Sequence, residues 1–218
     1  MIRVYILQTE NLLKTDFLEL VNALPFGEKE KERLLAINNS KHKWESLGGL
    51  VALWRLLEKT DASYDGLTYI ERGPSGKPYF NFPASPYFSI SHSRGIAAAA
   101  ICDYKYGEIG FDIEVIDKGY DFSHIAERFF NDVEKAELEA GGNSANAFFS
   151  IWTAKEAYAK LGGQGLSALL ASKDAPRTRG ISLSRLNISV GERQAVFSIC
   201  SYVAEQPIQI YTDSEVLK

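Results

Sequence analysis

Seven residues near the middle of the chain constrain it most. Ile109, Phe111, Ile113 and Val115 alternate with Gly110, Asp112 and Glu114, and this period of two marks a strand with one buried face. Side chains at i and i+2 leave a strand on the same side, roughly 6.6 Å apart along it. Asp112 and Glu114 therefore stand together on the face opposite the apolar set. Close like charges are unfavourable unless something cationic lies between them. An isolated D-x-E is more often a solvated outer face, so the pair needs support from elsewhere in the chain.

A helical segment supplies that support. Phe148, Trp152, Glu156 and Lys160 recur every four residues and so form one stripe on a helix. The stripe begins aromatic and ends charged, as expected of a helix that runs out of the core into a cleft. Asn143 or Ser144 can cap its start, and Gly162-Gly163 can end it. Taken alone, Glu156 and Lys160 would be an ordinary i,i+4 surface pair worth a few tenths of a kcal/mol. Taken together, the two segments offer the carboxylates of Asp112, Glu114 and Glu156 and the ammonium groups of Lys155 and Lys160. Three carboxylates suit a hard divalent cation and lysines suit phosphate, which is the equipment for a magnesium-bound polyphosphate.

A third segment adds polar groups. Gly76-Lys77-Pro78 is followed by Phe88-Ser89-Ile90-Ser91-His92-Ser93. Phe88, Ile90 and His92 fall on one face of a strand, and Ser89, Ser91 and Ser93 on the other. Hydroxyls, an imidazole and the nearby Arg94 at a strand end are natural phosphate contacts, although a lone His among serines is more often structural.

In this order the segments resemble the 4′-phosphopantetheinyl transferase superfamily, specifically its longer surfactin-synthetase-activating type. The matching pieces are G-K-P at 76–78, S-I-S-H-S at 89–93, G-F-D-I-E at 110–114, R-F-F-N-D-V-E at 128–134 and W-T-A-K-E-A-Y-A-K at 152–160, with Gly163-Gln164-Gly165-Leu166 behind them. Ser89 departs from the Asn that the family often has before I-S-H-S. The resemblance covers roughly residues 25–170.

The resemblance implies a fold of two similar α+β subdomains related by a pseudo-twofold axis, with coenzyme A between them. It implies transfer of the 4′-phosphopantetheine arm of coenzyme A to a serine of an apo acyl or peptidyl carrier protein, releasing adenosine 3′,5′-bisphosphate. Mg²⁺ would be held by Asp112, Glu114 and Glu156. Lys77, Ser91, His92, Lys155 and Lys160 would contact coenzyme A, as would Lys29, Lys31 and Arg33, which match the family's nucleotide-contacting lysines loosely. Glu156 is the first candidate for the base that takes the serine proton, with Glu114 or Glu134 as alternatives. Two other readings compete: a non-catalytic module that binds carrier proteins, and a Mg²⁺-dependent hydrolase of the coenzyme A pyrophosphate.

The remaining sequence sets limits. At 218 residues with 45% apolar and 24% charged side chains, the chain reads as an ordinary globular protein. Its formal charge of −4 gives no global field for nucleic acid, so an anionic ligand needs local basic groups. No segment has the length of a membrane span, and the start, Met1 to Leu7, reads as a strand with no small-residue cleavage site. Cys102 and Cys200 lie in apolar runs and read as reduced core residues of a cytoplasmic protein. The histidines and cysteines show no zinc-ligand spacing. Helical stretches are expected at 28–59, 122–140 and 144–161, and strands at 67–71, 87–92, 96–103, 109–116, 181–189, 194–203 and 207–212. Helix followed by strands, twice, suggests an α+β chain divided into halves 1–105 and 106–218, the second carrying the metal site. A chain holding both halves has no need to oligomerise, which favours a monomer.

Overall fold

The first strand buries side chains on both of its faces, Ile2, Val4 and Ile6 on one and Tyr5 and Leu7 on the other, so the sequence demands a layer above and below it. The computed structural model describes residues 1–60, 66–163, 180–203 and 206–213. In chain order the elements are β1 (Ile2–Gln8), α1 (Phe17–Ala23), α2 (Glu28–Leu35), α3 (Ser40–Glu58), β2 (Ile70–Arg72), β3 (Pro78–Phe80), β4 (Tyr87–Ser93), β5 (Ile96–Cys102), β6 (Ile109–Val115), α4 (Ser123–Phe129), α5 (Asp132–Ala140), α6 (Ala145–Leu161), β7 (Ser182–Val190), β8 (Arg193–Ser201) and β9 (Ile208–Thr212). This is a mixed α+β fold.

One sheet has the order β4-β5-β1-β9 and another the order β6-β8-β7, while β2 and β3 form a separate ribbon. Among the described residues all strand pairings are antiparallel except that of β1 with β9. The last strand thus returns from the far end of the chain to the first sheet. Leu47, Leu50, Leu53 and Leu57 of α3 pack on one face of that sheet, against Tyr5, Leu7, Ala97, Ala99 and Ile101. Its other face, with Val4, Ile6, Ala98 and Ala100, meets Phe111, Ile113, Phe197 and Ile199 of the second sheet. The outer face of the second sheet carries α6, through Phe148 and Ile151 near Val196 and through Ala157 and Leu161 near Cys200. The result is four layers: helix, sheet, sheet, helix.

The helical stretch expected at 28–59 is two helices. Asn39 ends the gap between them by accepting from the His42 N–H at 2.9 Å, an N-cap that starts α3. The short α1 begins at Asp16, whose carboxylate accepts from the Leu18 and Glu19 N–H groups. Ser144 is the cap of α6 and Gly162 closes it. Among the described residues no helix is long and apolar enough to cross a membrane, and Cys102 and Cys200 are both buried and free. The motif tail at 164–166 lies outside the described residues.

Two edge strands, β4 of the first sheet and β6 of the second, run side by side. Their seam is stitched by serines. The Ser89 hydroxyl accepts from Phe111 N–H at 3.1 Å and the Ser93 hydroxyl from Val115 N–H at 3.2 Å. These bonds satisfy backbone donors that an edge strand otherwise leaves open. On the other side of β6, Gly110 lets α6 come close: a Cβ there would stand 2.5 Å from the Leu161 nitrogen and nearer still to the Ala157 carbonyl oxygen. The absence of that one carbon brings the charged end of α6 over the acids of β6.

Candidate active site

The three carboxylates meet. Asp112 and Glu114 arrive on β6 and Glu156 on α6, and one oxygen of each lies within 4.8 Å of the others. Lys160, one turn beyond Glu156, bends onto the group. Its Nζ donates to Asp112 Oδ1 at 2.6 Å and to the Ser91 hydroxyl at 3.0 Å. Ser91 in turn donates to the same Asp112 oxygen at 2.6 Å, and the Ser93 hydroxyl donates to Glu114. Asp112 Oδ2 is buried and has no hydrogen-bond partner among the described residues.

One ammonium against three partly dehydrated acids leaves negative charge in excess. Burial, and then the charge of Asp112, pushes the Glu114 carboxyl up to about 7. Burial and Asp112 likewise push Glu156 up to about 8, with Lys160 opposing. Such upward shifts mark a site that a cation would relax. All three groups are oxygen donors, the set that magnesium prefers, and an orphaned buried oxygen is open to it. The residues therefore fit a hard divalent ion.

The same cleft, about 380 Å³ in volume, is also lined by Arg33, Arg72, His42 and His92. Arg33 and Arg72 are held by Glu30, whose Oε1 lies 2.7 and 2.8 Å from their nitrogens. Burial raises the Glu30 carboxyl, but the two guanidinium groups outweigh it and hold it below its ordinary value. His92 sits on the face of β4 opposite Ser91 and looks toward α3, with its Nδ1 3.5 Å from Glu45 and its ring 5.4 Å from that of His42. Burial lowers the His92 pKa, against the pull of Glu45. Lys77 lines an adjoining hollow of about 260 Å³ together with Glu156 and Lys160. Its Nζ donates to Glu108 at 2.8 Å and to the Leu161 carbonyl at 3.3 Å.

Of the residues singled out from the sequence, Asp112, Glu114, Glu156, Lys160, Ser91, His92, Lys77 and Arg33 are brought to this region. Lys155 is not. It is 3% exposed and paired with Glu134 through two bonds of 2.8 Å. Consecutive residues on a helix point about 100° apart, and Lys155 points at α5 while Glu156 points at the cleft. Glu134 is spent on that pair and on the capping box it forms with Asn131. Lys29 is exposed and Lys31 pairs with Glu28 at 3.1 Å; neither lines the cleft. Arg72, His42 and Glu45 also reach this region, and no sequence motif marks them. His42 and Glu45 share a helix face by their spacing, but nothing local ties Arg72 to α2 or His92 to α3.

Residues 108–209 match the model of the 4′-phosphopantetheinyl transferase superfamily. The 4′-phosphopantetheinyl transferase AcpT of Salmonella typhimurium is 36% identical over 118 residues, 53% of this chain and 60% of that protein. The 4′-phosphopantetheinyl transferase gsp of Aneurinibacillus migulanus is 32% identical over 142 residues, 63% of this chain and 56% of its own. A 4′-phosphopantetheinyl transferase of Bacillus subtilis is 39% identical over 102 residues, 44% and 42% of the two chains. The chain thus spans about half the length of the curated relatives it matches.

Proposed function

We propose, from the match of residues 108–209 to the 4′-phosphopantetheinyl transferase superfamily model, that this chain moves the 4′-phosphopantetheine arm of coenzyme A onto a serine of an apo carrier protein. The observation that supports this most is the convergence of Asp112, Glu114 and Glu156 in a cleft that Arg33, Arg72 and His92 also line. The acids suit a metal, and the basic groups suit the phosphates of a nucleotide.

In this reading Asp112, Glu114 and Glu156 hold Mg²⁺, which when bound supplies neutralisation of the charge that builds on the pyrophosphate. The carrier serine oxygen forms a bond to the phosphorus that bears the pantetheine arm. The bond from that phosphorus to the bridging oxygen breaks, and adenosine 3′,5′-bisphosphate leaves. Glu156, which reaches the edge of the acid cluster from α6 rather than β6, takes the serine proton. Lys160 is already anchored on Asp112 and Ser91, so it offers its remaining donor to a phosphate oxygen with little freedom to lose. Arg33, Arg72 and His92 receive further phosphate oxygens, and Lys77 attends the nucleotide.

The reading carries a division at 105/106 into two α+β halves about a pseudo-twofold, supported by one long helix on each sheet, with strand 208–212 returned to the first sheet. It also carries a cytoplasmic monomer.

The test is mass spectrometry of an apo carrier protein incubated with this chain, coenzyme A and Mg²⁺. A mass gain equal to the phosphopantetheine arm on the carrier serine is expected. Consumption of coenzyme A with no gain on any carrier would identify a hydrolase, and no consumption with retained carrier binding a non-catalytic module.

A further inference from the structure

The geometry points to a second, chemically different metal site, formed by His42, Glu45 and His92, that takes a divalent cation of the zinc or cobalt class. One ligand atom of each of the three lies within 4.8 Å of the others. His42 and Glu45 are three apart on α3 and so share its surface, while His92 comes across from the edge strand β4. Two imidazoles and one carboxylate form a set that suits zinc, cobalt or nickel and leaves positions open, unlike the all-oxygen set of Asp112, Glu114 and Glu156. In a tetrahedral site of this kind the ligand atoms stand about 3.3 Å apart. His92 Nδ1 and Glu45 already stand at 3.5 Å, and His42 is at an exposed position.

The state of Glu45 is the independent sign that a cation belongs there. It is 7% exposed, yet its polar contacts among the described residues are all long. The Gly95 N–H is at 3.3 Å, His92 Nδ1 at 3.5 Å and the Nζ of the exposed Lys41 at 3.9 Å. Glu30, an equally buried acid on α2, is instead gripped by two guanidinium groups at 2.7 and 2.8 Å. A buried carboxylate without a close cationic partner is costly, and an ion between two neutral imidazoles would supply one. His92 also faces the cleft. An ion at this site would therefore stand beside any anion bound there, distinct from the metal of the three acids.

The site itself does not depend on the transferase reading, and its test does not use transfer. Co²⁺ is titrated into the full chain in excess Mg²⁺, and the visible d–d absorption is followed. One equivalent is expected to bind in the wild type and equally in Asp112→Asn. Even the outer hydrogen-bond partners of metal ligands are worth roughly 10–100-fold in affinity, so His42→Ala, at an exposed position, should weaken binding by more than about tenfold. Glu45→Gln should do the same. The proposal is overturned if His42→Ala binds Co²⁺ as the wild type does, or if binding follows Asp112 instead.

Discussion

Ser91 of β4 and Asp112 of β6 share a 2.6 Å hydrogen bond across the seam of the two sheets. A hydroxyl has one proton, and here it is given to Asp112. Ser91 can therefore accept from Lys160 but has no donor left for a ligand. With Ser91 and Lys160 both on Oδ1, the other oxygen of Asp112 is fixed in direction and left without a partner among the described residues. The serine aims the carboxylate, and the carboxylate meets whatever binds.

Asp112→Asn and Ser91→Ala should separate these roles. Asn keeps the shape but loses the charge that anchors a metal. We expect kcat/KM for transfer to fall more than about a hundredfold, roughly 2.7 kcal/mol of transition-state stabilisation. Ser91→Ala should cost about tenfold and raise the Mg²⁺ requirement. Circular dichroism and melting confirm that both are folded. A folded Asp112→Asn with near-wild-type rate at ordinary Mg²⁺ would sink the metal assignment.

Metal binding should release protons. Glu114 at about 7 and Glu156 at about 8 are held above the ordinary 4.5, so near pH 7 the metal-free site holds between about one and two protons that a dication expels. Calorimetry of Mg²⁺ binding in buffers of different ionisation enthalpy reads that number directly. The same shifts fix the sign of the stability profile. The folded, metal-free protein binds more protons than the unfolded chain between about pH 4.5 and 8, so its stability is full below that window and falls as pH rises through it. Mg²⁺ favours the ionised acids and should raise Tm more at pH 8.5 than at pH 5.5. Equal Mg²⁺ effects at both pH values, with no buffer dependence, would contradict the shifted acids.

Two lysines five residues apart should fail in different ways. Lys155→Ala leaves Glu134 buried without its ammonium, and breaking a buried pair costs about 3–5 kcal/mol. For a chain of this size that is a fall in Tm of roughly 10 °C. Lys160 is 28% exposed. Its partner Asp112 is buried, so the comparison is made with Mg²⁺ present to take the place of the lost ammonium: there Lys160→Ala should leave Tm within a few degrees and lower kcat/KM for coenzyme A by roughly ten- to a hundredfold, as for a lost charge-assisted bond. If Lys155→Ala melts like the wild type but binds coenzyme A poorly, Lys155 works in the cleft after all.

What the sequence disclosed here follows the range of the interactions. Periodicity is local, so the alternation over 109–115 and the four-residue stripe through Phe148, Trp152, Glu156 and Lys160 could be read directly. The stripe does run from the core, where Phe148 and Trp152 stack at 6.1 Å, into the cleft. Gly110 was legible only as a small residue on the strand's polar face; its role depends on where α6 lands. Lys155 and Lys160 look equivalent in the motif, and only the position of α5 decides that one is buried. Arg72, Glu45 and His42 owe their places to contacts between distant elements, such as Arg72 with Glu30 across 42 residues. No local pattern encodes those meetings. The pairing of β9 with β1 is of the same kind.

Glu156→Gln asks whether one carboxylate both binds metal and accepts the serine proton. Glutamine keeps the shape and one oxygen donor but removes the charge and the basicity. It also removes a group whose ionisation the fold resists. The metal-free variant should therefore melt higher than the wild type at pH 8.5 and little differently at pH 5.5, which checks the site without any substrate. In transfer, loss of a ligand raises the Mg²⁺ concentration needed for half-maximal rate, and that defect yields to added Mg²⁺. Loss of the base does not yield. We expect both effects: partial recovery at saturating Mg²⁺, with kcat still at least about tenfold low and the acidic limb of the pH–rate profile displaced. Full recovery would confine Glu156 to ligation, and an unchanged kcat with an unchanged Mg²⁺ requirement would remove it from the mechanism.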